Sequence, residues 1–192
     1  MTAISLDPKK TALVVIDLQK GIVAMETVPH PTADVVSRSA NVAKYFRAHG
    51  ALVVWVNVET GPDGILFPRA ITDVERPRMS MPADWSQLAP ELGVEPSDVR
   101  VTKHQPSAFF GTDLDIQLRR RGIDTIVLTG ISTNMGVEST ARTGIEMGYN
   151  LVFVEDAMAG RDAEHHAIVA RKYFPTIGRV RSADELLRAF EA

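Results

Sequence analysis

The stretch Leu13-Val14-Val15-Ile16-Asp17-Leu18-Gln19 runs four apolar residues straight into a carboxylate, and its reading decides the fold. A strand with one wet face alternates apolar and polar residues, whereas a continuous apolar run of strand length marks a strand covered on both faces. The same signature returns in Leu52-Val53-Val54-Trp55-Val56, Thr125-Ile126-Val127-Leu128 and Leu151-Val152-Phe153-Val154. Val99-Arg100-Val101-Thr102 and Gly178-Arg179-Val180-Arg181 are weaker candidates.

Helical patterns separate these runs. From Asp34 to His49 the apolar residues Val35, Val36, Val42, Ala43 and Phe46 follow helical spacing, and Gly50 terminates the pattern. Thr112 can cap a helix that holds Ile116 and Leu118 and ends in Arg119-Arg120-Arg121, where cations complement the helix dipole. Further helices are expected from about Asn134 to Met147, from about Ala163 to Tyr173, and from a Ser182 cap through Phe190. Strand and helix alternating in this way require right-handed crossovers and a mostly parallel sheet. The expected class is therefore α/β, with six strands and helices on both faces. Ligands in such sheets bind beyond the carboxyl ends of the strands, where the strand order reverses.

The 192 residues fit one domain, 1–192, with an irregular insertion at about 60–97. That insertion carries Pro62, Pro68, Pro77, Pro82, Pro90 and Pro96, and its Phe67, Met79, Met81 and Trp85 suit a pocket wall or subunit interface better than a solvated excursion. A net charge of -3 without a basic stripe argues against nucleic acid and anionic membrane as partners. No apolar run could span a bilayer, and the N-terminal residues lack the pattern of a signal peptide, so the cytoplasm is the expected location. There is no cysteine, which excludes disulfides, thiolate metal sites and thiol nucleophiles.

Three strand ends carry candidate chemistry. Asp17 follows the first run, where partial desolvation raises a carboxyl pKa unless a cation is near; capping a turn is the competing role. Lys103 follows the third run and points to the same rim, where a lysine is either solvated or a partner that tunes the aspartate. The fourth run feeds Thr129-Gly130-Ile131-Ser132-Thr133-Asn134-Met135-Gly136, a glycine-rich turn into a helix. Such a turn can hold an oxyanion or carboxylate, or serve as a helix cap from Thr133 or Asn134. Gly136 is the oddity, since glycine costs about 0.5–1 kcal/mol relative to alanine inside a helix.

Together, the strand-Asp-Leu-Gln run, the Lys103 segment with Ser107-Ala108-Phe109, the block Thr133-Asn134-x-x-Val137-Glu138-Ser139-Thr140-Ala141-Arg142 and Val154-Glu155-Asp156-Ala157 resemble the isochorismatase-like hydrolase superfamily. The resemblance spans nearly the whole chain and is weakest in the insertion. It implies a three-layer α/β/α fold with a six-stranded parallel sheet of Rossmann-like order 3-2-1-4-5-6, a small-molecule substrate, and a homo-oligomer, dimer or larger. Most members are cysteine hydrolases with an Asp-Lys-Cys triad that cleave amides. Asp17 and Lys103 fall on the first two triad positions, and Gly136 falls on the cysteine. By the same carry-over Ile131-Ser132 matches a non-proline cis peptide, and the N–H groups of Ser132 and Gly136 match the oxyanion hole.

Metal-dependent members of the superfamily place an aspartate and two histidines near the second strand. Here that stretch reads Val56-Asn57-Val58-Glu59-Thr60, and His30, His49, His104, His165 and His166 are scattered elsewhere, so neither a catalytic metal nor another cofactor is expected. Glycine cannot form the acyl-enzyme of an amidase. True isochorismatases of the superfamily also carry glycine at this site and hydrolyse a vinyl ether to release pyruvate. The resemblance thus implies Asp17 as general acid, Lys103 as the residue that tunes it, and Gly136 as space and N–H for the substrate. Gln19, Ser132, Arg69 and Phe109 are expected to bind substrate, with Arg76 and Arg78 also available to its carboxylates. The Ser132-Thr133-Asn134 context is closer to the cysteine-hydrolase branch. The alternative is therefore an amidase relative without its nucleophile that serves as a non-catalytic binding protein or structural oligomer.

Overall fold

A computed structural model of the chain describes residues 4–60, 70–73 and 81–191. In chain order the elements are β1 (Thr11–Ile16), α1 (Lys20–Val23), α2 (Thr32–Ala48), β2 (Leu52–Val58), β3 (Val99–Lys103), α3 (Leu114–Arg119), β4 (Thr125–Ile131), α4 (Glu138–Glu146), β5 (Asn150–Ala159), α5 (Ala163–Ile168), α6 (Phe174–Ile177), β6 (Arg179–Arg181) and α7 (Ala183–Leu186). The six strands form one sheet of order β3-β2-β1-β4-β5-β6, and every pairing is parallel. No helix among the described residues is long and apolar enough to cross a membrane.

The unbroken apolar run of β1 has a direct cause. Leu13 and Val15 belong to the core cluster that contains Phe46 of α2 and Leu186 of α7. Ala12, Val14 and Ile16 belong to the opposite cluster with Leu114 and Leu118 of α3, Ala141 of α4 and Phe174 of α6. Successive side chains of a strand point to opposite faces, so with helices on both faces every position from Ala12 to Ile16 is apolar. All six residues of β1 are buried, as are all seven of β4.

The sheet edges explain the two weaker strand signals. The edge strand β3 reads partly exposed at Val99, Arg100 and Thr102, and the other edge, β6, is only three residues with none fully buried. Helix boundaries also shift. The helix expected from Asn134 opens instead as a widened turn over Thr133–Val137, in which the Val137 N–H donates to the Ser132 carbonyl at 3.3 Å, and α-helical bonding begins only at Glu138. No side chain caps this turn at Ser132, which overturns the capping role considered for Thr133 and Asn134. The helix expected over Ala163–Tyr173 is present, with α5 widening over Val169–Tyr173 and running on into α6. Ser182 does cap α7 through a reciprocal bond with Glu185, but the helix stops at Leu186.

The chain builds outward from β1 to β3 and then crosses back to start β4 beside β1. The strand order therefore reverses between β1 and β4, which is where a crevice opens beyond the carboxyl ends of the strands. Gly130 lets these strands approach: its φ is +122°, and a Cβ there would stand 2.1 Å from the Ile16 carbonyl oxygen. Only glycine fits.

Candidate active site

Asp17 is the first residue past β1 and sits at this reversal. Its backbone N–H donates to the Val56 carbonyl at 2.9 Å, and its φ of +55° swings the chain out of the sheet. Aspartate tolerates that left-handed conformation better than most residues. The side chain caps no helix, so the turn-capping role weighed for it does not apply. Instead Asp17 Oδ2 lies 2.8 Å from Lys103 Nζ, and the two side chains are 7% and 2% exposed.

Lys103 ends β3, two strands away from β1. Two inter-strand spacings amount to about 9–10 Å, a gap that a long lysine stem and an aspartate can close between them. The same ammonium donates to the Pro106 carbonyl at 2.8 Å, which fixes its direction. Burial pushes the Asp17 carboxyl up to about 6, against the lowering pull of the Lys103 charge and its hydrogen bond. Asp17 Oδ1 is buried and has no hydrogen-bond partner among the described residues. Buried polar atoms are nearly always paired, so an orphan oxygen beside an ion pair marks a place where a reacting group can sit.

Gly136 completes the constellation. A Cβ built on it would stand 3.1 Å from Asp17 Oδ2, 3.2 Å from Lys103 Nζ and 2.8 Å from Ile16 Cγ2. Position 136 therefore faces the ion pair, where any side chain would enter the space between them. The peptide Ile131-Ser132 is cis, and Ser132 leads into the widened turn that carries Gly136. Thr140, part of the Glu138-Ser139-Thr140-Ala141-Arg142 motif, ties the two loops together. Its hydroxyl donates to the Gly136 carbonyl at 2.6 Å and accepts from the Ala108 N–H at 3.0 Å, holding the Lys103 segment against the turn.

Two of the expected substrate contacts, Gln19 and Phe109, are engaged elsewhere. Gln19 is fully buried, and its amide is committed to backbone: Nε2 donates to the carbonyls of Val58 and Trp85 at 3.0 and 3.2 Å, and Oε1 accepts from Val58 N–H at 2.8 Å. It clamps the end of β2 to the insertion and has little capacity left for a ligand. Phe109 packs in the core, with its ring 5.7 Å from that of Tyr149; its neighbour Phe110 is the exposed one. Arg69, with Arg76, Arg78, Phe67 and Met79, lies outside the described residues.

Among the described residues, cavities open at both ends of the strands. The larger, about 560 Å³, opens at the amino ends of the strands beside Leu52 and Ile123, and its Arg47 and Asp98 are paired with each other at 2.7 Å. The other, about 430 Å³, is lined by Glu59, Thr60, Met81, Trp85 and Ser86 at the carboxyl end of β2. Neither lining includes Asp17, Lys103 or Gly136, but the second cavity lies at the same end of the sheet as they do.

The histidines scattered in sequence are partly gathered by the fold. His30 Nε2 lies 3.3 Å from Glu155 Oε2, and His166 Nε2 lies 3.1 Å from Glu155 Oε1. His166 Nδ1 sits 2.8 Å from Thr133 Oγ1, at the head of the turn that carries Gly136. The His166 hydrogen bond, with further help from His30, holds the Glu155 carboxyl down at about 2 despite its partial burial. Spacing could not have found this group. The only signal was Glu155 itself, polar and directly following an apolar strand run.

Residues 11–185 match the Isochorismatase domain family. The chain is 47% identical over 189 residues to an uncharacterized isochorismatase family protein of Bacillus subtilis (strain 168), covering 97% of each. It superposes on the structure of an isochorismatase family protein from Burkholderia thailandensis with a TM-score of 0.94 at 46% identity, covering all of both chains. A cysteine hydrolase from Pseudomonas syringae pv. phaseolicola is similar at 25% identity and a TM-score of 0.80, covering 100% of this chain and 98% of that one.

Proposed function

The chain belongs to the isochorismatase family, and from that premise we propose that it hydrolyses a vinyl ether, isochorismate or a related small molecule, by proton transfer from Asp17 without a covalent intermediate. The observation that carries this reading is the state of Asp17: buried, raised to about 6, one oxygen held by Lys103 and the other unpartnered, opposite a residue with no side chain. A carboxyl group with a pKa near the working pH can both donate a proton and recover it.

In the proposed reaction Asp17 delivers its proton to the terminal vinyl carbon, which leaves an oxocarbenium ion at the ether carbon. Water adds there, its proton returns to the Asp17 carboxylate, and the resulting hemiketal collapses to pyruvate and the ring alcohol. One water is consumed and no oxidant or reductant is needed. Lys103 keeps the Asp17 pKa from climbing as far as burial alone would take it, and its charge favours the carboxylate left after proton transfer. Gly136 leaves room for the substrate where a thiol would otherwise stand, and the N–H groups of Ser132 and Gly136 can face its oxygens.

The chain has no cysteine, so the thioester route of a cysteine hydrolase has no nucleophile here. The deciding experiment is pyruvate release from isochorismate, followed by coupling to lactate dehydrogenase. Turnover that scales with enzyme supports the reading. A complete absence of pyruvate at high enzyme concentration, with ligand-dependent thermal stabilisation retained, would assign the site to binding instead.

A further inference from the structure

Glu155 lies midway along β5, in the stretch where its pairing with β4 shifts register, His166 projects from α5, and His30 sits in the segment that precedes α2. Their three ligand atoms, two imidazole nitrogens and a carboxylate oxygen, all lie within 4.8 Å of one another. We propose that His30, Glu155 and His166 form a binding site for a divalent transition-metal ion of the zinc class.

The donor set is the first argument. Two neutral imidazoles and one carboxylate are the protein ligands of an open zinc site, with the remaining position left to solvent. Spacing is the second. Bonds of 2.0–2.1 Å arranged tetrahedrally put neighbouring ligand atoms about 3.3 Å apart; His30 Nε2 stands 3.3 Å from Glu155 Oε2 and His166 Nε2 3.1 Å from Glu155 Oε1, so each nitrogen faces its own carboxylate oxygen and a small turn of the carboxylate brings one oxygen to both.

The outer partners fit as well. A ligating histidine normally gives its other nitrogen to a hydrogen bond that fixes the tautomer, and His166 Nδ1 has Thr133 Oγ1 at 2.8 Å for that purpose. With the proton on Nδ1, Nε2 is free to bind metal. The His30 segment is held by a two-bond bridge, Val28 N–H to the Gly160 carbonyl at 2.8 Å and Gly160 N–H to the Val28 carbonyl at 2.9 Å, and by Thr27, whose hydroxyl donates to the His30 carbonyl. His166 is buried while His30 and Glu155 are about a quarter exposed, so an ion has a solvent side from which to enter.

Through Thr133 the ion would brace the turn that carries Ser132 and Gly136. This role does not depend on vinyl-ether chemistry, and it is separate from the histidine-free stretch at the end of β2.

The full chain, stripped with a chelator and dialysed, should bind one equivalent of Zn²⁺ in a calorimetric titration with ZnCl₂, and its Tm should rise. Co²⁺ in place of zinc should give visible absorption bands of a low-symmetry site. Glu155→Gln and His30→Ala should each weaken zinc binding by more than the roughly 10–100-fold typical of losing an outer-shell partner. His165→Ala, an exposed neighbour on α5, should bind as tightly as the parent chain. Failure of the parent chain to bind one equivalent overturns the proposal, and so does parental affinity in either ligand variant. Asp17→Asn should keep the zinc affinity, so loss of the hydrolase reading would leave this result intact.

Discussion

Lys103 Nζ and Asp17 Oδ2 are 2.8 Å apart in a place almost closed to water, yet the Asp17 carboxyl rises to about 6. Desolvation of the charged form outweighs the attraction of an adjacent ammonium. A buried ion pair of this kind is a poor source of stability, because removing two ions from water costs about what their attraction returns. Its value lies in holding a proton ready near neutral pH.

If Asp17 donates that proton, Asp17→Asn should lower pyruvate release by roughly 10²–10⁴-fold, the usual contribution of a positioned general acid. Substrate KM should change far less than kcat. An Asn variant with undiminished turnover would remove Asp17 from the reaction.

The pH profile has a definite sign. A general acid works in its protonated form, so kcat/KM should fall as pH rises through about 6, approaching a tenfold loss per pH unit above it. Lys103 lowers the Asp17 pKa, so Lys103→Met should move this limb to higher pH even while it reduces the rate. A limb that stays in place in the Met variant would show that Lys103 does not tune the acid.

Gly136→Ala tests the space opposite the pair. Its Cβ would meet Ile16 Cγ2 at 2.8 Å, and overpacking of this kind costs about 1–3 kcal/mol, readable as a lower midpoint in urea. Activity should fall further than stability explains, because the methyl also stands within 3.2 Å of both Asp17 and Lys103. Gly136→Cys places a thiol against the ammonium, and ammonia release from simple amides is the readout for recovery of the cysteine-hydrolase reaction.

Asp98 lies away from the candidate site, paired with Arg47 at 2.7 Å. Burial opposes its ionisation, but hydrogen bonds from Arg47, the Glu95 N–H and Trp55 Nε1 overcome that penalty and hold its pKa below the usual carboxylate range. A depressed carboxyl contributes stability that is complete above its unfolded pKa and disappears as pH falls through the folded one. Asp98→Asn should therefore flatten the loss of Tm below about pH 4. Asp98→Ala, which strands Arg47 and the Trp55 N–H, should cost about 3 kcal/mol at pH 7 in urea unfolding.

Some of this was written in the local sequence. Strand positions buried on both faces favour apolar residues, so β1, β2, β4 and β5 announce themselves by apolar runs, and those of β1, β4 and β5 lead into residues of the candidate site or the histidine cluster. The edge strands β3 and β6 spoke more faintly because water reaches part of each. Asp17, Lys103 and Gly136 could be named as a set because their order and motif context survive in one dimension.

What they do to one another could not be read that way. The raised Asp17 pKa depends on how completely neighbouring elements exclude water, and the 3.1–3.2 Å clearances at Gly136 depend on where β4 sits against β1. The Gln19 amide is taken up by the carbonyls of Val58 and Trp85, which are distant in sequence, so its partners are invisible to local motif context. His30, Glu155 and His166 carry no common spacing at all and meet only because β5, α5 and the loop before α2 close on the same point. The sequence by itself determined the layers of the fold and the identity of the strand-end residues, since both follow from local burial and chain order. Only the tertiary structure decided protonation and partnership, because those are set by distances and by solvent exclusion among residues far apart in the chain.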